Sequence, residues 1–305
     1  MIFIFPTFPM RSREFDVSKV PGLYGIYQRW FNRAKNCVPL NLALIESPHK
    51  SSSSHVQITE QAHYACIIEN LAVAEWVTER MGGCDRASSY SMGLFSALVH
   101  SNSLEFETIM SLVQSICNKA HDALKETPWA VGAVIEFPLK KLQVAMKDVD
   151  ESLEITDFYG PNTILFTGLS SSVKAVLDRT LVEGASLTRL IPLTAPFHTT
   201  TLLKISPEID RLVGALDIRV PDWPILSSLS QKWLTSVEDV RTEIRNNIST
   251  PMNWNLTMQK IAELESGTIV ECGASIALTD LAKQMLSTDW KCIDFRDFEK
   301  SNESN

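Results

Sequence analysis

The stretch SSYSMGLFSALVH, residues 88 to 100, constrains the chain more than any other. Ser88, Ser89 and Tyr90 lead into a serine two places before a glycine, and an apolar helical pattern follows at once. Small residues two before and two after a turn serine let a helix pack closely on the strand that feeds it. Ser89 and Gly93 occupy those places, so the pattern S-x-S-x-G admits a strand, a sharp turn at Ser91 and a closely packed helix. Two readings of Ser91 stay open: a nucleophile perched on the turn, whose following amides point at a developing oxyanion, or a hydroxyl capping the helix.

The rest of the chain fixes the scale of the fold around that turn. At 305 residues it holds one large α/β domain, or a large domain with a small one set into it. A net charge of −8 and a pI near 5.3 argue against nucleic acid and anionic membranes as partners, because both require a basic face. The six cysteines, Cys37, Cys66, Cys84, Cys117, Cys272 and Cys292, are scattered without a C-x-x-C pair or a histidine at metal-ligand spacing. They read as free buried thiols, with no metal expected. The opening MIFIFPTFPM is short, contains Pro6 and Pro9, and has Arg11 and Arg13 after it rather than before, unlike a signal peptide. No stretch approaches the roughly 20 apolar residues of a membrane span. The expected location is the cytoplasm, with no membrane partner.

Along the chain, IFIFP reads as a buried strand ended by proline, and SPHKSSSSH as an exposed, mobile loop. Ile68, Leu71, Ala72 and Trp76 recur at helical spacing between Gln61 and Met81, with Gly82 and Gly83 as the stop. Residues 103 to 126 read as a helix with Ser103 as N-cap. After Pro128 the texture changes. WAVGAVIEF and NTILFTG predict strands and SSSVKAVLDRTLVEGA an amphipathic helix, giving roughly β-α-β-α over 128–192. WPILSSLS and GTIVECG predict core strands, and the tail DFEKSNESN is expected to fray. The expected fold class is α/β: a large α/β-hydrolase-like domain with a parallel sheet, residues 1–127 and 193–305, plus a small ferredoxin-like domain, residues 128–192.

Taken in order, ITEQAHYACIIENLAVAEWVTERMGG, the serine turn, LIPLTAPFHTTTL, WPILSSLS, STPMNWNLTMQKI and GTIVECGASIALTDLAKQM resemble segments of the malonyl-CoA:acyl carrier protein transacylases and polyketide synthase acyltransferase domains. The serine turn and APFHT are the most specific parts, with Ser91 and His198 lying 107 positions apart. The resemblance implies Ser91 as nucleophile and His198 as general base. It further implies the backbone amides of Phe8 and Met92 as the oxyanion hole, Gln61 near the active site, and Asn253 as the residue whose backbone carbonyl orients the histidine. The acyl group would be carried on the phosphopantetheine of an acyl carrier protein, or on CoA, with no bound cofactor.

Two departures from that family carry information. Its FPGQG loop is replaced by Phe5, Pro6, Thr7, Phe8 and Pro9. Its carboxylate-binding arginine, in the pattern L-V-x-x-R, is replaced by Ile116 after Leu112, Val113, Gln114 and Ser115. No lysine or arginine occurs between Arg86 and Lys119. A buried carboxylate without a partner costs several kcal/mol, so Ile116 points to an uncharged acyl group, hydrolysed in editing or transferred. Phe197 before the histidine, as in many malonyl-selecting members, argues the other way. The alternatives are a malonyl- or acetyl-CoA:acyl carrier protein transacylase and a catalytically weak docking homologue. An ordinary Ser-Asp-His hydrolase is disfavoured, since Asp148, Asp150, Asp157 and Asp178 fall in the apparent small domain. For carrier contact, Arg179, Arg189 and Lys204 are the basic candidates.

Overall fold

The computed structural model describes residues 1–7, 16–41, 55–124, 127–193 and 195–300. The chain forms two compact units, one of residues Met1–Ser115, Ala215–Arg241 and Leu256–Asn305, the other of Ile116–Gly214 and Thr242–Asn255.

In the larger unit, six strands lie in the order β10 (Trp290–Ile293), β9 (Gly267–Glu271), β1 (Ile2–Phe5), β2 (Arg86–Ser89), β7 (Ile225–Leu226) and β8 (Trp233–Leu234). All neighbours are parallel except β7 and β8. The continuous apolar run IFIF of β1 is buried throughout, as a central parallel strand covered on both faces should be. Strand order reverses at β1, and Phe5 stands in register with Ser89, so the chain leaves β1 and β2 side by side at the carboxyl edge where α/β sheets place their chemistry. The helix Gly93–His100 packs on β1, β2 and the helix His55–Met81.

In the smaller unit, β3 (Trp129–Ile135), β4 (Glu154–Gly160), β5 (Thr163–Leu169) and β6 (Leu187–Leu193) form an antiparallel sheet in the order β4-β5-β3-β6. The helices Leu139–Val149 and Ser170–Val182 fall after β3 and β5, which completes a ferredoxin-like β-α-β-β-α-β. Residues of β3 alternate between buried and half-buried. Its buried set, Ala130 and Val134, joins Leu142, Met146, Phe166, Val173 and Leu177 in one core. The α/β class and its two sheets match the expected fold, while this unit is wider than residues 128–192.

Several local expectations are corrected. The helix expected from 103 starts at Phe106, and Ser103 is not its cap: the buried hydroxyl donates to the carbonyl of Arg219 at 2.7 Å. Strands β4 and β6 were not expected. All six cysteines are free, but only Cys66, Cys84 and Cys272 are buried. Residues Phe295–Lys300 form a helix, so the start of the expected fraying tail is ordered structure. Most of the expected mobile loop, up to residue 54, lies outside the described residues. Among the described residues, no helix is long and apolar enough to cross a membrane.

Candidate active site

In the larger unit the site grows from the end of β2. The amide of Tyr90 donates to the carbonyl of Phe5 at 2.9 Å, and the chain then turns at Ser91 with a φ of 53°. Met92 follows with helical angles as N-cap of Gly93–His100 and makes no side-chain capping bond. The helix therefore begins after Ser91, whose carbonyl accepts from the amide of Leu94 at 3.1 Å. As the lead residue of a helix, Met92 has one of the amides that intrahelical bonding leaves over, and these amides collect negative charge.

The turn is made tight by Gly93. A Cβ there would strike the Phe5 carbonyl, with its carbon 2.6 Å away and the Pro6 oxygen at 3.0 Å. From the helix His55–Met81, Asn70 donates to the Pro6 carbonyl at 2.9 Å and to Ser96 Oγ at 3.2 Å, and the Cys66 thiol donates to the same carbonyl at 3.4 Å. Asn70 thus ties the chain after β1 to the helix behind Ser91. It escaped sequence reading because its signal is burial, at 1% exposure inside an apolar helical pattern. Gln61 is buried and spans residues 39 to 41, donating to the Pro39 carbonyl at 2.8 Å and accepting from the Asn41 amide at 2.7 Å. Phe8 lies outside the described residues.

In the smaller unit, His198 is buried with a φ of 64°, and its amide donates to the Ile248 carbonyl at 2.7 Å. Burial pushes the imidazole down to about 4, opposed by backbone hydrogen bonds with Thr250 and Asn247. Asn253 lies further along a segment pinned to β4. Met252 donates to the Thr156 carbonyl at 2.8 Å and accepts from the Phe158 amide at 3.3 Å, and the Trp254 amide donates to Asp157 Oδ1 at 3.2 Å. Phe197 is half-buried, with its amide donating to the Ala195 carbonyl at 3.0 Å. Ile116 is buried on the helix Phe106–Leu124, and half-buried Lys119 follows one helical turn on.

Burial also pushes His63 and His100 down to about 4, so a lowered imidazole does not single out His198. Backbone conformation does. Six non-glycine residues among those described have positive φ, and two of them are Ser91 and His198. Each such residue costs about 1–3 kcal/mol and persists only where its surroundings over-determine it, which happens most at functional sites. Among the described residues, no cluster of three or more His, Cys, Asp or Glu is arranged to hold a metal ion. Of the basic carrier-contact candidates, Arg179 is engaged by Asp148 and Glu183, and Lys204 by the Ala123 carbonyl.

The larger unit thus carries a serine with left-handed backbone at the end of a parallel strand, and the ferredoxin-like unit carries a histidine with left-handed backbone; each belongs to an α/β protein of two sheets. No family model matches the chain. Its relatives include the malonyl CoA-acyl carrier protein transacylase of Bacillus subtilis strain 168, 23% identical over 241 residues, covering 77% of this chain and 75% of the relative. The polyketide biosynthesis protein ThaF of Burkholderia thailandensis is 22% identical over 242 residues, covering 79% of this chain and 20% of ThaF. Among solved structures, a malonyl-transacylase in complex with a type II polyketide acyl-carrier protein (PlMCAT:AntF) superposes with a TM-score of 0.85 at 20% identity, covering 100% of this chain and 99% of its own. The malonyl CoA-acyl carrier protein transacylase of Coxiella burnetii gives 0.84 at 19%, covering 99% and 96%. Over most of its length the chain is thus similar to malonyl CoA-acyl carrier protein transacylases, and it shares their fold.

Proposed function

We propose that the protein is an acyl-serine enzyme that takes uncharged acyl groups from the phosphopantetheine thioester of an acyl carrier protein, or from CoA, in fatty acid or polyketide biosynthesis. The observation that carries this reading is the coincidence of left-handed backbone at Ser91 and His198, the two residues singled out by motif. In the first half-reaction Ser91 Oγ attacks the thioester carbonyl and His198 takes its proton. The tetrahedral oxyanion is held by backbone amides, with Met92 as one donor and Phe8 as the other. The carbon–sulfur bond then breaks, and His198 returns the proton to the departing thiolate. In the second half-reaction water or an acceptor thiol attacks the acyl-serine by the same route, giving hydrolysis or transfer.

The acyl preference follows from Ile116. A buried isoleucine where malonyl-type relatives carry arginine leaves a carboxylate without a countercharge, and such burial costs several kcal/mol. Gln61, Phe197 and Asn253 complete the site as supporting residues. Intact-protein mass spectrometry after mixing with acetyl-CoA and malonyl-CoA tests the reading. An acetyl adduct that disappears in Ser91→Ala supports it, and no adduct from any acyl thioester refutes it in favour of a docking homologue. Single-turnover decay of the acyl-enzyme with and without acceptor carrier protein separates hydrolysis from transfer.

A further inference from the structure

Resting on the reading of His198 as the general base, we propose that Glu154 is a positioning residue that holds the His198 loop in its left-handed conformation. Glu154 opens β4, and its carboxylate accepts four hydrogen bonds from two consecutive residues. Oε2 receives the amide and the hydroxyl of Thr200, both at 2.8 Å, and Oε1 receives the amide and the hydroxyl of Thr201 at 3.3 and 3.1 Å. These residues begin the 3-10 helix Thr200–Ile205, separated from His198 by Thr199 alone.

A histidine with a φ of 64° keeps that conformation only if the chain on both sides is tied down. Upstream, Thr199 Oγ1 donates back to the Pro196 carbonyl at 2.6 Å, and the His198 amide itself donates to Ile248. Downstream, the tie is Glu154. Hydrogen bonds to an ionised carboxylate are roughly twice as strong as neutral ones, and the carboxylate satisfies two amides at a helix start that lack intrahelical acceptors. The same strand also holds the segment that follows Thr250. From β4, Thr156, Asp157 and Phe158 pin residues 252 to 254, just beyond the Thr250 backbone that hydrogen-bonds His198. One strand therefore fixes both the loop that carries the histidine and the segment that orients its ring.

Glutamine is the discriminating substitution. It keeps the size of Glu154 but turns one acceptor oxygen into an NH2 group that faces two donors. In the full-length protein, Glu154→Gln is expected to lower the single-turnover acylation rate at saturating acetyl-CoA by about 10- to 100-fold, the scale of a catalytic group displaced by about 1 Å. The acetyl-CoA concentration for half-saturation should stay within about twofold of wild type, since binding is untouched. With 15N-labelled histidine, the His198 imidazole resonances should move while those of buried His63 and His100 stay. A folded Glu154→Gln protein with wild-type acylation and unmoved His198 resonances overturns the proposal and leaves the catalytic reading standing. If wild type forms no acyl-enzyme, the catalytic reading falls, and the resonances alone decide the role of Glu154. Should Glu154→Gln not fold, Thr200→Val with Thr201→Val removes only the hydroxyl donors; it is expected to move the same resonances, and unmoved resonances overturn the proposal.

Discussion

Gly93 lies directly against Phe5: a Cβ at residue 93 would fall 2.6 Å from the Phe5 carbonyl carbon, where no real side chain fits. The helix behind Ser91 can approach β1 only because residue 93 lacks a side chain, and that approach sets where the elbow stands. Gly93→Ala must therefore shift helix or strand backbone, at a cost of about 1–3 kcal/mol for overpacking. The expected outcome is a lower melting temperature by calorimetry together with an acylation rate reduced more than the stability loss alone explains. A variant as stable and as active as wild type refutes the packing argument.

The strain at Ser91 gives a second prediction. Alanine keeps the Cβ that makes a φ of 53° unfavourable, whereas glycine adopts it freely. Left-handed backbone costs an L-residue about 1–2 kcal/mol, more than the roughly 0.5–1 kcal/mol that glycine loses through chain entropy. Ser91→Gly should thus melt at or above Ser91→Ala in differential scanning calorimetry, with neither forming an acyl adduct. A glycine variant clearly less stable than the alanine variant removes the strain.

Acid dependence tests His198. Its imidazole, pushed down to about 4 by burial, is neutral and able to accept a proton throughout the neutral range. The acylation rate should be flat from neutral pH downward and fall only as pH drops through about 4, rather than near 6.5, the ordinary histidine value. Stopped acylation reactions analysed by mass spectrometry give the profile. An acid limb centred near 6.5 shows that the base is not the buried imidazole seen here.

How far the sequence revealed this molecule depends on how each element signals itself. The strand IFIF, the helices on apolar spacing and the S-x-S-x-G elbow are local, and residue type alone announces them. Strand β4 is not: Glu154 and Asp157 interrupt its apolar pattern, because they serve the neighbouring segments rather than the sheet core. Strand β6 ends on Ile191, Pro192 and Leu193, and proline inside an apolar run argues against a strand. Ser91 and His198 were legible through motif, but their left-handed backbone was not, since serine and histidine do not advertise positive φ as glycine does. Asn70 and Glu154 were invisible because their roles are hydrogen bonds to backbone far away in sequence.

Glu271 makes a stability prediction whose sign follows from burial. The carboxyl at the end of β9 is fully buried, accepts from the Thr279 amide at 2.7 Å, and is pushed up to about 7 by burial. Its folded value lies above its unfolded one, so between about 4.5 and 7 the native state holds a proton that the unfolded chain has released, and stability falls as pH rises. Glu271→Gln keeps an acceptor for Thr279 and removes the titration. Its stability advantage over wild type should grow from pH 4.5 to 7 and then level off, measured as paired denaturant midpoints. The paired difference cancels the opposite trend of His63, His100 and His198, whose depressed values make stability rise with pH in the same range. An advantage that shrinks or stays constant across that window refutes the assignment.

The proposed acyl preference stands or falls on residue 116. Ile116 is buried, and on a helix its neighbour three residues on is Lys119, the first cation after Arg86 in the chain. If Ile116 excludes carboxylates, acetyl-CoA should load Ser91 faster than malonyl-CoA at equal concentration. Ile116→Arg should then invert the order, because a guanidinium offers the bidentate partner that a carboxylate needs. A shift of about 10- to 100-fold in the malonyl-to-acetyl ratio corresponds to the 1.5–3 kcal/mol of a charge-assisted hydrogen bond. Lys119→Ala provides the control: if the lysine already serves malonyl, its removal lowers malonyl loading selectively. Wild-type protein that takes malonyl as readily as acetyl, with Lys119→Ala losing only malonyl, assigns the carboxylate contact to Lys119 and overturns the preference for uncharged acyl groups.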